Sequence, residues 1–195
     1  MPEVELPNGE ELEEAARKHF TKRVALTTAI FAVILAITSL GGNNAMKEML
    51  LAQQQASDQW SFYQSKVIRE HFYKMERMRI EADFGQWGAS LKPGVRDRYE
   101  TIVRTISEEE HRFSIEKQQI ERNAKALEHE RDINRSKDPY FDYAEVLLQI
   151  SIVMASISIL AVSRYMFYFA LIASGLGSLF MLNGYLLIVR IPFFH

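Results

Sequence analysis

Three apolar runs interrupt an otherwise polar chain: Val24–Leu40, Val146–Ser163 and Tyr165–Val189. Roughly 20 apolar residues cross a hydrocarbon core of about 30 Å as a helix. The first run is at the short end of that range and extends through Gly41-Gly42, while the third is long enough to tilt. Backbone groups in lipid must find partners inside their own segment, so each run predicts a transmembrane helix rather than a strand. The predicted spans are 24–42, 138–163 and 165–190, with a charged insert over 43–137.

The insert carries two helical patterns. In its second half Tyr99, Ile106, Phe113, Ile120 and Leu127 recur at intervals of seven, with Ile102, Val103 and Ala124 between them. In its first half Met49, Ala56, Trp60, Tyr63, Val67, His71, Met75 and Met78 step by mixed threes and fours. Such stripes form one apolar seam on each helix of a left-handed supercoil. Between them, Gly85, Gly88, Pro93 and Gly94 mark a turn at about residues 85–95. A reversal near residue 90 makes the numbers of facing residues sum to about 180. Trp60 then meets Ile120, Val67 meets Phe113, and Met78 meets Ile102. The predicted fold is all-α: three transmembrane helices and a long extramembrane antiparallel coiled-coil hairpin. Each leg of roughly 40 residues rises about 60 Å. A hairpin with a single seam buries little apolar surface, which predicts a homo-oligomer.

Residues 1–23 predict a short amphipathic helix, with Asn8 and Glu11 as an approximate capping box. Asp138-Pro139 reads as the N-cap and first residue of the second span. Aromatic residues at 140–143 and 165–168 suit the two membrane interfaces, and Arg190 is placed to reach headgroups. Arg17, Lys18, Lys22 and Arg23 precede the first span, and Arg164 lies between the second and third. The positive-inside rule then puts the N-terminus and the Arg164 turn in the cytoplasm and the insert outside. The first span reads as an uncleaved anchor, since acidic residues precede it and no small-residue cleavage site follows.

The formal net charge of −2 gives no global pull toward nucleic acid, and basic residues of the insert interleave with acidic ones. Cysteine is absent, which removes disulfides and thiol chemistry. No phosphate-binding glycine loop or His-Glu-x-x-His appears, so the sequence predicts no enzyme and no cofactor.

Candidate sites are few. The register above brings His71 opposite Glu109, near Glu108 and His111, whose Glu-x-x-His spacing is used by di-metal bundles. Only half of that ligand set is present, and a His–Glu hydrogen bond explains the same residues, so no metal is assigned. Trp60, Tyr63, Trp87 and Phe113 are candidates for oligomer or partner contact. Glutamines 53, 54, 55, 59 and 64 around Trp60 suit hydrogen bonds between copies or a binding surface. Trp87 and Leu91 at the turn either meet a partner or cap the hairpin. Glu145, Gln149 and Asn183 are the intramembrane polar residues, and such groups either line a path or join helices.

The segment Gln55-Ala56-Ser57-Asp58-Gln59-Trp60-Ser61-Phe62-Tyr63-Gln64-Ser65-Lys66, with Leu147–Ile152, resembles a family of bacterial inner-membrane proteins known only as a domain of unknown function. The resemblance implies a bacterial source and this architecture, without an activity. The expected role is a membrane-anchored, self-associating structural or interaction protein with lipid, its own copies and envelope proteins as partners. The insert is then periplasmic. The alternative is a small oligomeric channel or transport accessory lined by the second span.

Overall fold

The computed structural model describes residues 9–87, 90 and 92–189. Three helices account for nearly all of them: α1 (Gly9–Trp87), α2 (Pro93–Leu160) and α3 (Arg164–Leu186). No strand occurs among the described residues. Each helix contains a stretch long and apolar enough to cross a membrane. Asn8, Leu91 and Arg190, and with Asn8 the proposed capping pair, lie outside the described residues.

Helix runs on through Gly41-Gly42, as the sequence reads it, and also through Asp138-Pro139, where the sequence places a helix start. Gly41-Gly42 sits inside α1, because a helical glycine costs only about 1 kcal/mol and packing at this level requires it. Pro139 lies inside α2, so Asp138 is not an N-cap. Proline removes one i→i−4 bond, but Asn134, Tyr140 and Phe141 beside it are each only 3% exposed. Burial on both sides of the proline holds the helix together.

The chain divides into two compact units. Unit 1 comprises Met1–Glu48 with Ile133–His195, and unit 2 is Met49–Asp132. In unit 1, Val24 and Phe31 of α1 pack with Ala155 of α2 and Ala170 of α3, and Phe20, Ile152 and Phe167 close the cluster. Small residues let these backbones approach. A Cβ on Gly177 would lie 3.1 Å from the Ala144 carbonyl oxygen and 3.1 Å from the Leu148 side chain. Such small-residue contacts join helices where lipid removes the hydrophobic drive for association. Buried hydroxyls are satisfied locally: Thr38 donates to the Ile34 carbonyl at 2.8 Å and Ser151 to that of Leu147 at 2.7 Å. The reversal from α2 to α3 uses Val162 at φ 48°, with Ser163 N–H donating to the Ser158 carbonyl at 3.1 Å.

An aromatic knot crosses all three helices at the opposite end of unit 1. Phe141 lies edge-on to Tyr185, with centroids 5.0 Å apart. A Cβ on Gly41 would come within 2.6 Å of the Phe141 ring and of the Tyr185 hydroxyl, and one on Gly184 within 3.1 Å of Phe141. The Tyr185 hydroxyl donates to the Ile37 carbonyl at 3.2 Å.

Buried positions keep a seven-residue spacing along each long helix. On α1 they are Val24, Phe31, Thr38, Ala45 and Ala52; on α2, Phe113, Ile120, Asn134, Phe141, Leu148 and Ala155. The α2 frame is the one that Tyr99, Ile106 and Phe113 announce in the sequence.

Candidate functional site

Unit 2 is an antiparallel pair of helices, and its polar chemistry lies along the line where they meet. Ala52 and Ala56 on α1 and Ile120 and Ala124 on α2 are buried, which brings the backbones close at one end. Farther along, larger side chains fill the gap. Trp60 stands edge-on to Tyr63 at 5.4 Å, and its indole Nε1 donates to Glu128 at 2.9 Å. Phe113 is 4% exposed and stacks on Tyr73 with centroids 5.5 Å apart. Lys66 Nζ and the Arg112 guanidinium sit 5.0 and 5.1 Å from its ring. Phe84 and Tyr99 meet at 5.9 Å near the turn.

Three ion pairs bridge the helices. Lys66 meets Glu116 at 2.5 Å, Glu70 meets Lys117, and Arg77 meets Glu110 at 2.8 Å. Partly exposed pairs of this kind are each worth about 0–1 kcal/mol, so their main effect is on register. A seven-residue slip one way sets Glu70 against Glu110, and the other way sets Arg77 against Lys117. Both slips oppose like charges.

These contacts correct the expected register. Facing residue numbers sum to 182 for Lys66 and Glu116 and to 188 for Trp60 and Glu128, above the predicted 180. Trp60 reaches Glu128 of α2. Side chains lean toward the N-terminus of their own helix. In an antiparallel pair both leans raise the sum, and long Lys, Arg and Trp side chains raise it most.

The His–Glu cluster is not assembled. His71 is exposed, one position and thus about 100° round the helix from Glu70, which engages Lys117. Glu109 pairs with Arg112 at 2.6 Å. Glu108 and His111 line an open groove of about 720 Å³ with Phe84, Tyr99 and Val103. Among the described residues no three His, Asp or Glu side chains are grouped to hold a metal ion. Trp87, at the end of α1, is 59% exposed.

Of the three polar candidates in the apolar stretches, Glu145, Gln149 and Asn183, two meet. Gln149 Nε2 donates to Glu145 Oε1 at 3.2 Å on an exposed face of α2. Asn183 instead finishes α3: its amide donates to the Val189 carbonyl at 2.8 Å and accepts from Val189 N–H at 2.9 Å. The Tyr140 hydroxyl donates to the same carbonyl at 2.9 Å, and Leu187 adopts φ 47° to allow the turn.

A family model matches residues 20–187, so it covers both helices of the hairpin and all three apolar stretches. The chain belongs to the family described as domain of unknown function DUF4337. The resemblance seen in the sequence is thereby shown at the level of the family. Comparison with curated proteins and with solved structures gave no match. The family carries no activity in its description, so function rests on the geometry of this chain.

The bridging pairs predict a pH dependence. The Arg77 guanidinium holds the Glu110 carboxyl below its ordinary 4.5, and hydrogen bonding from Lys66 does the same for Glu116, against an opposing effect of burial. A depressed folded value means that the contribution is complete above the unfolded value and is lost as pH falls through the folded one. The melting temperature of the full chain, followed by circular dichroism, is expected to fall steadily below about pH 4.5. Glu110→Gln should flatten part of that slope. An unchanged slope removes the Arg77–Glu110 pair as its cause.

Proposed function

We propose that the chain is a membrane-anchored, self-associating structural and interaction protein of the bacterial cell envelope. Its three apolar stretches, at 24–42, 138–163 and 165–190, serve as spans in the inner membrane. The basic residues before the first span and Arg164 support a cytoplasmic N-terminus and a periplasmic hairpin. The observation that carries the proposal is the contrast between the two units. Unit 1 is held by small-residue and aromatic contacts, whereas the unit 2 hairpin is tied by three cross-helix ion pairs set in one register. That hairpin suits a spacer that presents surfaces rather than a chamber for chemistry.

The test is the mass of the purified chain in a mild detergent. More than one copy per particle supports the proposal, and a monomer at all concentrations overturns it. A second role, an oligomeric channel or transport accessory, is favoured by one contact: the Glu145–Gln149 hydrogen bond on an exposed face of an apolar helix. Glu145→Ala in liposomes should then change ion flux while assembly persists. No flux at any voltage removes that role.

A further inference from the structure

We infer that the outer face of α1 in the hairpin, centred on Ile68, Phe72 and Met75, is where a second copy of the chain docks, side by side and in the same direction. This deepens the self-associating function proposed above and rests on it. Ile68, Phe72 and Met75 are 69%, 64% and 71% exposed. Their spacing of four and then three is that of successive core positions in a two-stranded supercoil. They lie on the far side of α1 from Lys66, Glu70, Tyr73 and Arg77, the residues that contact α2. Leu50, five turns earlier at the same angle, is 57% exposed. Helix α1 is therefore apolar on its outer face over residues 68–75.

Helix α2 is not. Its outer face carries Arg104, Glu108, His111, Gln118 and Arg122 around the single exposed Ile115. An apolar stripe confined to one helix of the pair places α1 at the centre of a larger bundle, with α2 outside. The flanking residues favour a second copy as the occupant. In a same-direction pair, a residue beside the stripe faces the residue five positions on in the other helix. His71 then faces Glu76 of the second copy, and Gln64 faces Arg69 of the second copy, each contact occurring twice about the two-fold axis. Among the described residues Glu76 has no ion pair within its own chain, and Arg69 has only a longer-range attraction to Glu116, beyond ion-pair distance. Arg79 closes the stripe, with Glu76 and Asp83 one turn to either side. Two copies anchored by the same spans in one bilayer have their α1 helices running in the same direction, which sets Phe72 against Phe72.

The chain has no cysteine, so single cysteines report this contact directly. Full-length Phe72→Cys and Met75→Cys are oxidised in native membranes, with Lys74→Cys, exposed on another face, as the control. A disulfide needs Cα atoms about 4.4–6.8 Å apart. Cross-linked dimer is expected at 72 and 75 and not at 74. The mass of the unmodified chain in mild detergent is measured alongside. An oligomer without cross-links at 72 and 75 overturns this inference and leaves the proposed function standing. A disulfide formed only when the Phe72→Cys and Met75→Cys chains are mixed overturns the same-direction pairing. A monomer overturns both. Phe72→Asp supplies the second arm: loss of the dimer with unchanged helix content supports the contact, and a dimer that persists overturns it.

Discussion

Phe113→Ala is expected to destabilise the hairpin by about 3–5 kcal/mol, the usual cost of emptying a buried phenylalanine site. The ring is 4% exposed and is held between Tyr73, Lys66 and Arg112. Its removal leaves Tyr73 with only the edge of Phe72, Lys66 with only the Phe62 ring, and the Arg112 guanidinium without its aromatic face. The cavity cannot collapse easily, because the Glu70–Lys117 and Arg77–Glu110 bridges fix the helices one turn to either side. Thermal unfolding by circular dichroism and amide exchange over 60–80 and 105–120 measure the effect. The sequence placed Phe113 both on the hairpin seam, opposite Val67, and among candidate contacts between copies; in the structure it packs on Tyr73 of its own chain. Lost protection in the hairpin with an unchanged oligomer mass fits the intrachain role. Lost oligomer with unchanged protection contradicts it.

Gly41→Leu is expected to be the most damaging change in the apolar unit. Even a methyl carbon at this position falls 2.6 Å from Phe141 and 2.6 Å from the Tyr185 hydroxyl. Overpacking of this kind costs about 1–3 kcal/mol, and here it also displaces the hydroxyl that donates to the Ile37 carbonyl. Tyr185 is partly exposed and can swing outward, but Phe141 is buried where all three helices meet, so the strain falls on its ring. Gly175→Leu is the matched control, since a side chain there meets nothing within 4 Å. The midpoint of thermal aggregation in detergent should drop for Gly41→Leu and stay within error for Gly175→Leu. Equal behaviour of the two variants would show that the knot does not hold the unit together.

Much of this structure was legible in the residue pattern, and the failures have identifiable causes. The seven-residue recurrence from Tyr99 to Leu127 marks the inner face of α2. Extended by the same step it reaches Asn134, Phe141, Leu148 and Ala155, all buried. Asp138-Pro139 hid that continuation, because a local reading takes the pair as the start of a new helix. Neither residue can disclose that packing on both sides outweighs one missing hydrogen bond. The facing register failed for a different reason: numbering treats side chains as points at their Cα positions, whereas they lean along the helix. The His71 cluster failed with it, because contact across a seam depends on shifts of a few residues. Asn183 looked like a membrane polar site, yet its amide closes the end of α3 against the backbone of Val189, six residues on.

The chain by itself determined that it would be helical, that three stretches are apolar enough for lipid, and that the segment between the first two doubles back. These follow from composition and from period, which are local properties summed over many residues. Only the tertiary structure decided that each long helix runs unbroken, which charged residues bridge the hairpin, and that Gly41, Phe141, Gly184 and Tyr185 converge. Those outcomes depend on which atoms of distant segments come within a few ångströms of each other, and no one-dimensional pattern carries that distance.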